Sequence, residues 1–291
     1  MKVVLLGAKG QVGWELQRAL APLGELLAWD RERADLANPE ALVAQLRAVA
    51  PQAIVNAAAY TAVDKAESEP ELAQRVNAEA PTRLAALAAE LGIPLLHYST
   101  DYVFDGGGDQ PRDEDAITGP LSVYGASKLA GEHGIRASGC THLILRTSWV
   151  YAARGGNFAK TMLRLAAERE QLRVVNDQVG APTGAELLAD GAAHALRSLL
   201  AQPDLSGTYH LCAAGETNWA DYARFVIEQA RAKGQALRCQ EVQGIPSADY
   251  PTPARRPLNS RLDCRRFEST FGLRLPHWEQ GVRRLLDEVI G

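Results

Sequence analysis

Short apolar runs and amphipathic stretches take turns along the first half of this chain, and no other feature restricts its fold as much. The runs KVVLLGA, ELLAWD, AIVNAAA, PLLHYSTDYVF and HLILRTSWVY are interleaved with segments of helical spacing such as GQVGWELQRALAPL, PEALVAQLRAVA and LAALAAEL. A strand that is apolar at every position is buried on both faces, because successive side chains point to opposite sides of a sheet. Strands of that kind joined by helices predict an α/β fold, a doubly wound parallel sheet with right-handed crossovers. With 291 residues, 46% of them hydrophobic, the chain is long enough for one large domain or two smaller ones.

The first strand runs into LLGAKGQVG, which places Gly7, Gly10 and Gly13 in a GxxGxxG pattern ahead of an amphipathic helix. Glycine there permits a tight turn and close backbone approach, and the helix N-terminus offers unpaired N–H groups to a pyrophosphate. The position between strand and helix points to a dinucleotide and to the Rossmann form of the sheet. The second strand ends at Asp30, where a carboxylate would accept from the adenosine ribose; a plain surface turn is the alternative. Arg31 and Arg33 follow and would suit a 2′-phosphate, which leaves NADH and NADPH both open. Asp35 and Leu36 would edge the adenine pocket, and Ala58, Ala59 and Thr61 would lie near the pyrophosphate and ribose unless they serve only strand packing.

After about residue 150 the alternation loosens into YAARGGNF, VVNDQVGAPTGAELLAD and the Pro- and charge-rich QGIPSADYPTPARRPLNSRLD. Loops of this composition line sites more often than they fill cores. The expectation is a dinucleotide-binding domain over 1–150, rejoined by segments near 180–212, with a smaller mixed α/β substrate lobe over 151–291. The 31 basic and 35 acidic residues are interspersed and sum to −4, which argues against nucleic acid and against a charged membrane surface as partners. The opening apolar run is too short to span a bilayer and lacks a small-residue cleavage site. Cys140, Cys212, Cys239 and Cys264 stand far apart without metal-ligand spacing, which speaks for a reducing cytoplasm and against structural zinc.

HYSTDYVFDG puts Ser99, Thr100 and Asp101 near the carboxyl end of a buried strand, where open α/β sheets hold ligands. Tyr124 and Lys128, four apart in LSVYGASKLAGE, project from one helix face. An exposed face with two ordinary polar residues is the plain alternative. A free phenol has a pKa of about 10, and an ammonium within about 4 Å contributes on the order of 4 kcal/mol toward phenolate at an effective dielectric near 20. That would lower the tyrosine by roughly three pH units before desolvation opposes it. A Thr100 hydroxyl would then orient the same substrate oxygen.

Gly7-x-x-Gly10-x-x-Gly13, Thr100 and Tyr124-x-x-x-Lys128 together resemble the extended short-chain dehydrogenase/reductase superfamily. Within it, STDYVFDG, YGASKLAGE, RTSWVY, NDQVGAPT and RRPLNSRLD closely resemble the dTDP-4-dehydrorhamnose reductase family, with matching blocks from residue 7 to 263. Serine usually stands where this chain has Thr100, and threonine is common in this branch. The resemblance implies NAD(P)H-dependent reduction of the C4 ketone of a dTDP-sugar, giving dTDP-L-rhamnose for cell-envelope polysaccharide. It casts Tyr124 as proton donor, Lys128 as its cationic neighbour and ribose ligand, and Thr100 as the group that polarises the carbonyl. By the same resemblance Gln11, Val12 and Tyr98 join the cofactor contacts, and Asp101 and Trp149 touch the sugar. Glu15, Glu186 and Glu288 match positions that bridge a homodimer through magnesium. Two other roles compete: a nucleotide-sugar epimerase or dehydratase, which needs a second carboxylate where this chain has Tyr102, and a non-catalytic dinucleotide-binding regulatory subunit.

Overall fold

The computed structural model describes residues 1–290. Its first half runs β1 (Lys2–Leu6), α1 (Gln11–Leu20), β2 (Glu25–Trp29), α2 (Pro39–Val49), β3 (Ala53–Asn56), α3 (Val63–Ala66), α4 (Pro70–Gln74), α5 (Ala80–Leu91), β4 (Leu95–Thr100), α6 (Val123–Ala137) and β5 (His142–Thr147). All of these strands pair in parallel. The continuous apolar runs are the reason: β3 and β4 are buried at every position and β1 at all but Lys2. Helix starts follow local chemistry. Asn38 accepts from the Ala41 N–H ahead of Pro39, Ser122 accepts from the Gly125 N–H, and Gly92 at φ 64° closes α5.

The second half contains β6 (Val150–Tyr151), α7 (Phe158–Glu168), β7 (Gln171–Val175), β8 (Val179–Gly180), β9 (Thr183–Gly184), α8 (Ala185–Ala201), β10 (Gly207–His210), β11 (Thr217–Asn218), α9 (Trp219–Ala232), β12 (Glu241–Ile245), α10 (Arg265–Phe271) and α11 (Trp278–Ile290). β10 pairs in parallel with β5, which completes a six-stranded sheet in the order β10-β5-β4-β3-β1-β2. One face of the sheet is packed by Leu16, Leu20, Leu188 and Leu196 of α1 and α8, the other by Leu42, Leu46, Leu84 and Ile135 of α2, α5 and α6. Phe267 of α10 and Leu275 lie in the first of these cores, so the chain returns to the sheet a second time after residue 260.

A separate core gathers Met162, Leu172, Tyr222, Val226, Trp278 and Val282 from α7, β7, α9 and α11. It underlies the small parallel pair β7·β12 and makes the second lobe. Two apolar runs overshoot their strands. β4 stops at Thr100, whose hydroxyl accepts from the Tyr102 N–H and turns the chain into a 3₁₀ segment at Asp101–Val103. β5 stops at Thr147, and Trp149 then adopts a left-handed φ of 49°, a conformation that bulky residues seldom take. Among the described residues no helix is long and apolar enough to cross a membrane.

Candidate active site

The glycine turn is built as the spacing predicts. Gly7 takes φ 87° with a hypothetical Cβ only 2.8 Å from the Ala58 nitrogen, and a Cβ on Gly13 would lie 2.0 Å from the Gly7 carbonyl. Gly10 carries no capping side chain, so the first N–H groups of α1 face the cleft uncapped. That cradle fits a pyrophosphate.

The cleft above it has a volume of about 870 Å³ at the carboxyl ends of the strands. Gly7, Gly10, Gln11, Val12, Asp30, Arg31, Asp35, Leu36, Ala58, Ala59, Thr61, Tyr98, Thr100, Asp101, Tyr124, Lys128 and Trp149 all line it. Gly13 sits behind the turn, where it lets α1 approach Gly7. Arg33 does not line the cleft; its guanidinium lies 4.6 Å over the Trp29 ring. Asp30 is paired with Lys9, which holds its carboxyl below the usual range. Lys9 escaped the sequence reading, although a cation inside the glycine turn is a visible signal. Tyr98 buries its ring in the core and donates from its hydroxyl to the Leu188 carbonyl at 3.0 Å.

At the chemical centre, Thr100 and Tyr124 line the same cleft, and the Thr100 hydroxyl donates to Asp101 Oδ1 at 3.1 Å and accepts from the Tyr102 N–H at 3.2 Å. Burial pushes the Tyr124 phenol up to about 12; the neighbouring Thr100 hydroxyl opposes the rise and the Asp101 charge adds to it. The expected lowering of Tyr124 by Lys128 is therefore not found. Lys128 instead turns to β4, where its Nζ donates to the Tyr98 carbonyl at 2.6 Å and lies 3.2 Å from His97 Nε2. Burial brings Lys128 itself down to about 8, against the opposing charge of Glu132. Desolvation outweighs the ion–phenol attraction because both groups are taken out of water and the ammonium points elsewhere.

Asp101 is 2% exposed, and its Oδ2 has no hydrogen-bond partner. Burial raises it to about 6, moderated by the nearby Ser260 hydroxyl and by the Thr100 hydroxyl, which donates to Oδ1 at 3.1 Å. Beneath the centre, Glu132 is held by Arg146 through contacts of 2.8 and 2.6 Å and by Ser99 at 2.6 Å. Burial alone would raise Glu132, but these bonds keep it below the usual range.

The far wall is aromatic. Trp149 stacks on Trp219 with centroids 3.6 Å apart and an interplanar angle of 14°, and Trp219 donates to Gln178 Oε1 at 3.0 Å. Trp219 opens a helix 70 residues after Trp149, and nothing local in sequence announces the pairing. Asn77 was also missed. It lies in a π-helical stretch between α4 and α5, and clamps Tyr60 by accepting from its N–H at 2.8 Å and donating to its carbonyl at 3.0 Å.

The magnesium set does not form within one chain: among the described residues no three acidic, His or Cys side chains come together to hold an ion. Glu15 faces Arg18 at 3.7 Å and Glu288 faces Arg284 at 3.3 Å. Glu186 lies near enough to feel both acids, yet its rise comes first from burial. Two of the three carboxylates are thus engaged by arginines of their own helices.

The parallel sheet, the glycine cradle and the Thr100–Tyr124 pair at the strand ends together define a dinucleotide-dependent enzyme of the short-chain dehydrogenase/reductase class. A family model described as RmlD substrate binding domain matches residues 1–290, and the chain belongs to that family. It is 56% identical to the dTDP-4-dehydrorhamnose reductase of Escherichia coli strain K12, over 99% of this chain and 98% of that protein. Among solved structures, the Clostridium acetobutylicum dTDP-4-dehydrorhamnose reductase superposes with a TM-score of 0.90 at 34% identity and full coverage of both chains. The Bacillus anthracis enzyme in complex with NADP gives 0.89 at 33% identity over 99% of each chain.

Proposed function

We propose that this protein reduces the C4 ketone of dTDP-4-dehydro-L-rhamnose to dTDP-L-rhamnose with NADPH. The observation that carries the reading is that Thr100 and Tyr124 line the same cleft as the glycine cradle, in a chain 56% identical to a named reductase. The NADP held by the Bacillus anthracis relative supports the choice of cofactor. Bound NADPH supplies the hydride that the ketone carbon accepts.

The remaining work falls to the chain. A phenol held at about 12 stays protonated near neutrality, so Tyr124 is loaded as a donor. Its proton passes downhill to the alkoxide oxygen, whose conjugate acid is weaker than a phenol. Thr100 bonds the same oxygen and fixes its direction. Asp101 and Trp149 hold the sugar hydroxyls and ring, and the Trp149–Trp219 stack keeps water from that side. Reduction asks for one proton donor, whereas loss of water asks for a second carboxylate where this chain has Tyr102.

NADPH oxidation dependent on dTDP-4-dehydrorhamnose tests the reading. Tyr124→Phe is expected to lower kcat by about 10²–10⁴ with NADPH affinity essentially unchanged. Normal kcat in that variant removes Tyr124 as donor, and no turnover by folded protein that still binds NADPH favours the regulatory role. A cytoplasmic location is part of the proposal, supported by four unpaired cysteines. So is the homodimer implied by the resemblance, which sedimentation with and without chelator would reveal.

A further inference from the structure

One buried group beside the chemical centre has no part in the mechanism above. His97 lies on β4, 1% exposed, between Asn56 of β3 and Lys128 of α6. Its hydrogen-bond partners fix where its proton sits. The Ala58 backbone N–H, which can only donate, points at Asn56 Oδ1 from 3.1 Å, so the amide oxygen faces Ala58. The Asn56 NH₂ therefore faces His97, with Nδ2 3.0 Å from Nδ1. A donor at that distance requires a lone pair on Nδ1, and the neutral ring then carries its hydrogen on Nε2. The charged ring is excluded, since burial and the nearby Lys128 hold the pKa of His97 well below its ordinary value. Nε2 is the atom 3.2 Å from Lys128 Nζ.

We propose that His97 is a positioning residue for the reduction: fixed by Asn56 as the Nε2–H tautomer, it donates to the Lys128 amine and lowers that amine's affinity for a proton. An ammonium has three hydrogens and no lone pair, so it opposes an N–H at this distance; a neutral amine accepts it while still donating to the Tyr98 carbonyl. The other groups facing Lys128 do not produce the effect. The Tyr98 carbonyl accepts from either form, and Glu132, one turn along α6 and paired with Arg146 of β5 and Arg136, favours the ammonium. Tyr124, one turn before Lys128, is neutral. Burial and the His97 N–H thus act together, and Lys128 titrates close to working pH. Because this role rests on the proposed reductase reading, its tests include measurements that need no sugar.

Nitrogen NMR of protein labelled with ¹⁵N-histidine reads the tautomer directly. The expected result is one pH-insensitive histidine with a protonated Nε2 and a bare Nδ1, its signals absent in His97→Gln. A protonated Nδ1 overturns the proposal. Carbon NMR at the Lys128 Cε is expected to show titration below that of the exposed lysines, moving up by about one pH unit in His97→Gln, where the amide oxygen can face the ammonium. The alkaline limb of kcat is expected to move with it. A Lys128 titration that stays put in folded His97→Gln, with only thermal stability lost, assigns His97 to packing and overturns its effect on Lys128. Should the variant not fold, the tautomer and the Lys128 titration of the unsubstituted protein decide. Absence of sugar reduction with both NMR results as expected would strike the reductase reading alone.

Discussion

Asp101 keeps a carboxylate with one unpartnered oxygen in a buried position beside Thr100. Its pKa is near 6 in the fold against an ordinary 3.8, so the unfolded chain ionises first. The stability it contributes is complete below about pH 3.8 and is lost as pH rises through 6. Asp101→Asn cannot ionise and keeps an acceptor for Thr100. It is expected to stabilise the protein by on the order of 1–2 kcal/mol at pH 7.5 while lowering turnover, with the gain shrinking toward pH 4.5. Urea midpoints at the two pH values check this; equal gains at both would mean that ionisation is not the cause. Lys128 teaches a related lesson, since its spacing from Tyr124 placed it in the cleft but not the direction of its ammonium.

At the scale of elements, the junction of β1 and α1 depends on absent side chains more than on present ones. A methyl on Gly13 would lie 2.0 Å from the Gly7 carbonyl, while one on Gly10 would find its nearest contact at 3.3 Å. Gly13→Ala is therefore expected to lower stability by about 1–3 kcal/mol and NADPH affinity by tenfold or more, and Gly10→Ala to do markedly less. Calorimetric titration and thermal melts of the two variants separate the cases; equal effects would refute the steric reason. Helix α6 shows the complementary case. Its position is set by the buried Glu132–Arg146 pair, and losing one partner of such a pair leaves an uncompensated charge.

Over the whole molecule, Asp64 of α3 joins the first half of the chain to Arg256 of the loop after β12. The guanidinium donates to both carboxylate oxygens at 2.9 Å, and Asp64 also accepts from the Ala254 N–H. Both side chains are partly exposed, at 41% and 27%, so the pair contributes only about 0.5–1 kcal/mol to folding. It also ties the loop after β12 to α3, where the Asp64 neighbours Val63 and Lys65 line the cleft. Asp64→Ala is expected to raise KM for the sugar several-fold, leaving the dissociation constant of NADPH nearly unchanged and stability within about 1 kcal/mol. Steady-state kinetics with separate cofactor titration reads the split, and an equal loss of affinity for both ligands would contradict it.

What the sequence by itself determined is local and periodic: apolar strands that must be buried on both faces, glycines at a strand–helix turn, and a Tyr and Lys one helical turn apart. These follow from backbone geometry and burial, which act over a few residues. The tertiary structure decided whatever joins distant positions. It brought Trp219 onto Trp149, sent α10 back beneath α8, put Asn77 against Tyr60, and turned Lys128 away from Tyr124 toward His97. It also set Glu15 beside Arg18 and Glu288 beside Arg284. Desolvation and competing partners set these outcomes, and both depend on which segments the fold packs together.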